Sequence, residues 1–245
     1  MGDSKPTVAG MPGTLSSSLT WETVQSLNIG FDLGMLRNRL NINFDYFIRK
    51  TLDMVGPASE VASIYGIGMP ASNNTDLRTK GWEIAASWRD KIGQINYNIG
   101  FNMADCRSFV DKYPNESKSL STYYKDQELG AIWGYVTHGI AKSQSEMDEW
   151  IKDNNPSWGS GWGEGDIMFK DLNGDKVINE GANTVDDPGD RKIIGNSTPR
   201  FRFGLDLGCE WKGIDFSMFW QGVAKRDLWL DGPMFWGISG GAWQS

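Results

Sequence analysis

The chain has 245 residues and a mass of 27.3 kDa, enough for one large all-β domain or two ordinary domains. Its 30 glycines, 12 tryptophans and few helix-forming residues favour many strands joined by turns. A net charge of −7 argues against a nucleic-acid partner, because a phosphate-binding face needs clustered Lys and Arg. Two cysteines in unrelated contexts and a single histidine form no zinc, redox or catalytic constellation, so we do not expect an enzyme.

Apolar and polar residues alternate with a period of two along several segments, which is the strongest pattern in the chain. From Ile95 to Met103, every second residue is apolar and the residues between are Asn or Gly. Successive side chains of a strand point to opposite faces, so such a segment has one apolar and one polar face. The pattern predicts about six strands, at residues 27–33, 40–48, 81–90, 95–105, 200–211 and 215–222.

Short and long connections alternate between the predicted strands. The short ones follow Leu33 and Arg89 and precede Asp215, whereas the long ones cover residues 51–80 and 107–200. Compact soluble domains rarely contain loops longer than about 15 residues without internal structure. Strands of about ten residues, with short turns at one end and long loops at the other, are typical of a bacterial transmembrane β-barrel. The apolar face would then contact lipid, and the polar face would line a wet lumen.

Two further observations bear on this barrel prediction. Tryptophans at the ends of the apolar face would form a membrane girdle; they are Trp82, Trp88, Trp211 and Trp220. The topology would also place Cys106 and Cys209 at opposite rims, about 30 Å apart, which is too far for a disulfide. A soluble β-sandwich is the alternative, because its strands alternate in the same way.

The connection at residues 107–199 has structure of its own and is predicted to form a folded lobe. Ser143, with Glu146 three residues later, predicts a capped helix whose apolar face carries Met147, Trp150 and Ile151. A strand is predicted before this helix, at residues 131–141. The tryptophans of the loops either pack the loops together or stack on sugar rings; they are Trp133, Trp150, Trp158, Trp162, Trp229, Trp236 and Trp243.

An acidic segment after this helix has the spacing of a calcium loop. Calcium takes six to eight oxygen ligands, which short polar side chains at alternate positions of a tight turn supply. The candidate ligands are Asp171, Asn173, Asp175, the carbonyl of Val177, and Asn179. Any calcium would be structural and bound with modest affinity. The alternative is an Asx-rich turn whose side chains cap their own backbone.

Two positions of this loop depart from the calcium pattern. Lys176 stands where glycine is usual, and Ala182 stands where a bidentate glutamate is usual. The carboxylate that replaces the glutamate would come from a residue further along the chain, for which the candidates are Asp186, Asp187 and Asp190.

Five segments of the chain closely resemble SusC/RagA-type TonB-linked outer-membrane transporters, in the order in which that family has them. The segments are SSLTWETVQSLNIGFDLGMLRNRLNINFDYFIRKTLDMV, NNTDLRTKGWEIAASWRD, FKDLNGDKVIN, DPGDRKIIGNSTPRFRFGLDLG and FWQGVAKRDLW. The resemblance implies a 22-stranded barrel around an N-terminal plug, with residues 1–245 supplying about six strands and the lobe at 107–199 lying outside the cell. Because no signal sequence, TonB box, plug or final strand is recognisable, it also implies an internal piece of the C-terminal barrel region.

The same resemblance implies a function. Such transporters import glycans, or in some members peptides, across the outer membrane, with a SusD-like surface lipoprotein as a lid and with TonB pulling on the plug. The alternative is a soluble carbohydrate-binding β-module stabilised by calcium, whose apolar strand faces would form an internal core.

Overall fold

The computed structural model describes residues 19–57 and 70–230. The strands of this part are β1 (Thr23–Met35), β2 (Leu40–Gly56), β3 (Ser72–Ile92), β4 (Ile95–Lys112), β5 (Ala131–Tyr135), β6 (Thr137–Ile140), β7 (Asn155–Pro156), β8 (Ile167–Phe169), β9 (Val177–Ile178), β10 (Arg191–Asn196), β11 (Arg200–Trp211) and β12 (Ile214–Lys225), and the helix is α1 (Gln144–Ile151). Six strands form one antiparallel sheet in the order β1-β2-β3-β4-β11-β12. The six predicted strands are therefore confirmed. Within the described ranges, no helix is long and apolar enough to cross a membrane.

Several strands are longer than the alternating pattern predicts. β3 has 21 residues, although alternation is visible only over residues 81–90. A tilted strand crosses a bilayer with about 9–11 residues. The ladder continues beyond the apolar segment because backbone hydrogen bonds do not depend on apolar side chains. The sheet thus extends well past the apolar band on the side of the long connections.

The register joins alternate positions of neighbouring strands into two continuous faces. On the apolar face, Ile99 of β4 pairs with Trp88 of β3 and with Leu207 of β11. On the other face, the Nδ2 atom of Asn96 donates to Oε2 of Glu210 at 3.3 Å. The apolar and polar faces that the sequence predicts are therefore those of the folded sheet.

The apolar face of the sheet has no second protein layer within the described residues. Among all described residues, the buried apolar side chains are Val110, Tyr124, Ala141, Met147, Met168 and Ile178, and only Val110 belongs to the six-stranded sheet. On β1, the side chains of Ile29 and Phe31 are 63% and 55% exposed. A sandwich would bury these side chains between two sheets. The sandwich alternative is therefore not supported, and the sheet is an open arc of a barrel wall.

Tight turns lie at one end of this arc. Gly93 and Gly213 adopt φ values of 60° and 83° in the turns between β3 and β4 and between β11 and β12, a backbone conformation that side chains with a Cβ disfavour. The register also separates the two free thiols. Cys209 pairs with Tyr97, nine residues along β4 from Cys106, which corresponds to about 30 Å.

The prediction of a four-tryptophan girdle is wrong for two of its members. Trp82 and Trp211 lie near opposite ends of the apolar face. Trp88 and Trp220 lie within it, since Trp220 pairs with Leu205 in the middle of β11. Alternation assigns a residue to a face but contains no information about its height on that face.

Candidate functional site

The connection between β4 and β11 folds into the predicted lobe. α1 begins after Ser143, whose Oγ accepts a hydrogen bond from the backbone N–H of Glu146 at 3.3 Å. Met147 is fully buried, and Trp150 and Ile151 pack against the cluster that it forms with neighbouring side chains. The capped helix and its apolar face are confirmed.

Residues 131–141 do not form the single strand that the sequence predicts. β5 ends at Tyr135 and pairs with β10, whereas β6 begins at Thr137 and pairs with β8. The carbonyl of Val136 between them accepts from the N–H of Lys170 at 2.8 Å. The chain breaks here because the two halves complete different sheets. His138 is an exposed residue of β6, which fits an ordinary structural position.

The acidic loop, defined here as residues 171–190, lies in this lobe beyond β8. The Asp171 carboxylate accepts from the N–H of Gly174 at 2.6 Å and from that of Lys176 at 2.9 Å. Oδ1 of Asp175 accepts from the N–H of Val177 at 2.8 Å. These bonds bend the backbone into a tight turn and hold both carboxylates on it.

Asp190 brings a third carboxylate to these two. It is fully buried, and its two oxygens accept from the N–H groups of Leu172 at 2.7 Å and of Asn179 at 2.9 Å. One oxygen from each of Asp171, Asp175 and Asp190 lies within 4.8 Å of the others. Ligands of one calcium ion, each 2.3–2.6 Å from the metal, are separated by up to about 5 Å. The three carboxylates therefore have a spacing that one cation can bridge.

The other two candidates for the missing carboxylate make contacts of their own. Oδ2 of Asp186 lies 2.7 Å from Nζ of Lys118. Oδ2 of Asp187 accepts from the N–H of Ala182 at 3.0 Å. Of the three aspartates that the sequence offered, Asp190 is the one that joins the cluster.

The remaining predicted ligands make hydrogen bonds within the loop. Oδ1 of Asn173 accepts from the N–H of Asp175 at 3.0 Å. Oδ1 of Asn179 accepts from the N–H of Gly181 at 2.6 Å, and its Nδ2 donates to the carbonyl of Val177 at 3.2 Å. These are the bonds of an Asx-rich turn, so the alternative interpretation of the loop also describes part of what is observed.

Lys176 replaces the glycine that is usual in calcium loops, but its backbone has the conformation that this glycine would adopt. Its φ is 68°, the left-handed conformation for which glycine is favoured, and Gly174 has a φ of 82°. Its Nζ lies 2.7 Å from Oδ1 of Asp153, and this hydrogen bond raises the pKa of Lys176. The side chain is directed to another part of the lobe while the backbone keeps the turn.

The pKa of Asp171 lies below its ordinary value. Desolvation acts to raise this pKa, but the N–H groups of Lys176 and Gly174 stabilise the charged carboxylate and outweigh it. Asp171 is therefore ionised at neutral pH and available to a cation.

Most loop tryptophans in the described part of the chain pack the lobe. Those that contact other aromatic or buried side chains are Trp133, Trp150, Trp158 and Trp162. The ring of Trp158, for example, lies 4.7 Å from that of Tyr135 between centroids. Trp229 is 58% exposed, and Trp236 and Trp243 lie outside the described residues. Packing is thus the role observed for the first four.

An ionic cluster that the sequence patterns missed joins the lobe to the strand ends. Arg200 of β11 forms a bidentate pair with Asp105 of β4, and Nε of Arg107 donates to Oε1 of Glu128 at 2.8 Å. The first pair joins residues 95 positions apart, so local spacing could not reveal it. The available signal was the change from apolar to charged residues after Met103 on one face of β4.

Comparison with known proteins places this geometry in a family. Residues 5–227 match the family model for the β-barrel of TonB-dependent receptor-like proteins. TonB-dependent receptor P3 of Formosa agariphila is 24% identical over 242 residues, which cover 93% of this chain and 23% of that receptor. TonB-dependent receptor SusC of Bacteroides thetaiotaomicron is 22% identical over 230 residues, which cover 90% of this chain and 21% of that receptor. The chain thus spans less than a quarter of these relatives.

Solved structures agree with this assignment at the level of the fold. A structure of the RagAB peptide transporter has a TM-score of 0.57 and 17% sequence identity, and the match covers 82% of this chain and 21% of that one. RagAB in an "open-open" state gives 0.57 at 20% identity. The resemblance to SusC/RagA-type receptors is confirmed, since the relatives are named as TonB-dependent receptors and the similar structures are of a RagAB transporter. The chain therefore belongs to the TonB-dependent receptor-like β-barrel family.

Proposed function

We propose that this chain forms part of the barrel wall of a transporter that imports oligosaccharides across the outer membrane. The single-layered sheet carries this proposal, because its apolar face is bare and its opposite face is polar. Lipid would cover the first face, and the second would line the path of the cargo. The short turns would face the periplasm and the long loops, with the lobe, the cell exterior.

The proposal includes two protein partners. A SusD-like surface lipoprotein would rest on the long loops as a lid, and TonB would act on a plug elsewhere in the receptor. The support is the similarity to SusC and to RagAB, together with a lobe that has a core of its own beside the strand ends. Because the chain covers about a fifth of these relatives, both contacts are properties of a whole receptor.

Peptide is the second candidate cargo. The structures that resemble this chain are those of the RagAB peptide transporter and peptide importer. Identities of 17–20% show a shared fold and do not distinguish a peptide from an oligosaccharide. The loop tryptophans do not decide either, since four of them pack within the lobe.

Uptake by living cells tests the cargo. Cells that carry or lack the receptor gene would be given fluorescent oligosaccharides and fluorescent peptides of matched mass, with and without a protonophore that removes the energy source of TonB. We expect receptor-dependent, energy-dependent uptake of the oligosaccharides. Uptake of peptides alone would establish the second candidate, and equal uptake by both cell types would refute the transport proposal.

We also propose that the acidic loop binds calcium in a structural role. Asp171, Asp175 and Asp190 would be the carboxylate ligands, and the oxygens of Asn173, Val177 and Asn179 would complete the shell. The support is the 4.8 Å grouping of the three carboxylates and the left-handed backbone of Lys176. The ion would stabilise the loop.

Limited proteolysis of the purified receptor tests the calcium proposal. Calcium should slow cleavage within residues 171–190, and chelation should reverse this effect. Asp175→Asn should raise the calcium concentration needed for protection, because it removes a ligand charge and keeps only an amide oxygen. Asp186→Asn is the matched control, since Asp186 pairs with Lys118 outside the cluster. Protection of Asp175→Asn at the same calcium concentration as the wild type, or an equal change in Asp186→Asn, would contradict the site.

A further inference from the structure

Four cations cluster on three neighbouring strands, directly beyond the apolar band. Lys50 of β2 pairs with Arg78 of β3, and Lys80 of β3 pairs with Arg107 of β4. We call these four residues the basic patch. Lys50 and Lys80 lie two residues beyond Ile48 and Trp82, and the two arginines lie at the next alternate positions of their strands, so all four share the apolar face.

The height of the basic patch follows from the register. The pair of Lys80 and Arg107 lies twelve residues from the pair of Ile92 and Ile95 at the turn. At about 3.4 Å per residue and a tilt near 45°, this corresponds to a height of about 28 Å above the turn. The apolar band of an outer-membrane barrel is about 25 Å tall. The patch thus lies at the level of the lipid headgroups.

Two of the four cations form ion pairs with acidic residues. Nη2 of Arg78 lies 3.1 Å from Oδ1 of Asp111, and Arg107 pairs with Glu128. Lys50 and Lys80 are exposed, and neither forms an ion pair with any residue that the structure describes. Like charges directly opposite each other destabilise a sheet. Lys50 and Lys80 are therefore available to bind an anion from outside the protein.

One aromatic ring holds three of these cations together. Lys80, Arg78 and Arg107 lie 5.2, 5.7 and 5.1 Å from the centroid of the Phe109 ring. Such contacts are favourable and restrict where the charged groups can lie. The ring thus keeps the positive charge concentrated at one place on the outer wall.

We propose that the basic patch binds the phosphate groups of an anionic lipid in the adjacent membrane leaflet. Lysine provides a point charge and arginine a planar pair of donors, and both suit phosphate. The apolar face directly below, which includes Tyr46 and Trp82, would contact the acyl chains of the same lipid molecule. Because the basic patch and the apolar face adjoin, the expected ligand has both phosphate groups and acyl chains, which favours a lipid over a soluble phosphate. The proposal rests on the membrane position of the sheet and is independent of the cargo.

Native mass spectrometry of the detergent-purified receptor tests this proposal with a double variant, Lys50→Gln with Lys80→Gln. The probes are diphosphorylated lipid A, zwitterionic phosphatidylethanolamine and inorganic phosphate. We expect lipid A to remain bound to the wild-type receptor. The double variant should bind lipid A about 10–30-fold more weakly, because each lysine near an anionic surface typically contributes about 1 kcal/mol to binding. Arg49→Gln is the matched control, because Arg49 adjoins Lys50 but points to the polar face, and it should leave binding unchanged.

A second variant separates charge from folding. Lys50→Arg with Lys80→Arg keeps both charges and should retain the binding of lipid A. Equal retention of phosphatidylethanolamine and lipid A would overturn the proposal, as would displacement of lipid A by inorganic phosphate at equal concentration. So would a loss of binding in Arg49→Gln that matches the loss in the double Gln variant.

Discussion

The faces of the sheet can be tested with two arginine substitutions at neighbouring positions, Ile99→Arg and Asn98→Arg. Ile99 lies four residues above the turn that joins β3 and β4. At about 3.4 Å per residue and a 45° tilt, its height is about 10 Å, close to the middle of a 25 Å apolar band. Its side chain is 42% exposed on the bare face of the sheet.

The two substitutions should differ strongly in their cost. Arginine on the lipid face near the bilayer midplane costs about 2–4 kcal/mol. That cost corresponds to a decrease of about 30–900-fold in the ratio of folded to unfolded barrel. The side chain of Asn98 lies over Gly208 on the opposite face, so arginine at this position would enter the wet lumen. We expect a change below about 1 kcal/mol there.

Urea unfolding of the whole receptor in lipid vesicles measures both differences. The fraction of receptor that migrates as a folded, heat-modifiable band in outer-membrane preparations gives a second readout. Ile99→Arg should lower both quantities, and Asn98→Arg should leave both near wild type. Equal losses in the two variants would refute the assignment of the faces, and a larger loss in Asn98→Arg would reverse it.

Four further predictions concern the lobe. Met147→Ala removes a fully buried side chain and should destabilise the lobe by about 2–5 kcal/mol, measured by the rate of proteolysis within residues 141–170. Asp190→Asn replaces one acceptor oxygen of a buried side chain with a donor that faces a backbone N–H group, and it should cost about 1–3 kcal/mol in the same assay. Lys176→Gly relieves a left-handed backbone conformation in the turn that carries the carboxylates, so calcium titrations should show tighter binding. The pKa of Asp171 is lower in the folded protein than in the unfolded chain, so ionised Asp171 stabilises the lobe fully at a pH above the unfolded-state pKa. This stabilisation is lost as the pH falls towards the folded-state pKa. Proteolysis of wild type should therefore accelerate over this acidic range, and proteolysis of Asp171→Asn should not.

The sequence predicts the sheet well where the two faces of a strand differ in polarity and poorly where they do not. Residues 81–90 alternate because one face of β3 is apolar and the other is polar. Residues 72–80 continue the same strand with polar side chains on both faces except at Leu77, so no alternation marks them. The length of a strand beyond its alternating segment is set by backbone pairing with its neighbours, which the pattern of a single strand does not reveal.

The acidic loop shows the same limit at a smaller scale. Asp171 and Asp175 are recognisable because their spacing within one turn is local. Asp190 joins them only because the chain folds back, with Gly189 so close to Asn179 that a Cβ atom on Gly189 would lie 2.3 Å from the carbonyl oxygen of Asn179. The sequence therefore offered three aspartates for this position, and tertiary packing selects one.

The buried side chains indicate that the lobe and the six-stranded sheet are stabilised in different ways. The lobe has a core of its own, formed by Ala141, Met147 and Met168, and none of these belongs to the six-stranded sheet. The wall buries little apolar surface against protein and would obtain its stability from lipid and from the strand ladder. The two parts meet through the backbone bonds that β4 makes with residues 126–129 and through the ionic cluster. Calcium in the acidic loop would therefore change the order of the lobe, where we propose that the lid docks, and would leave the barrel wall unchanged.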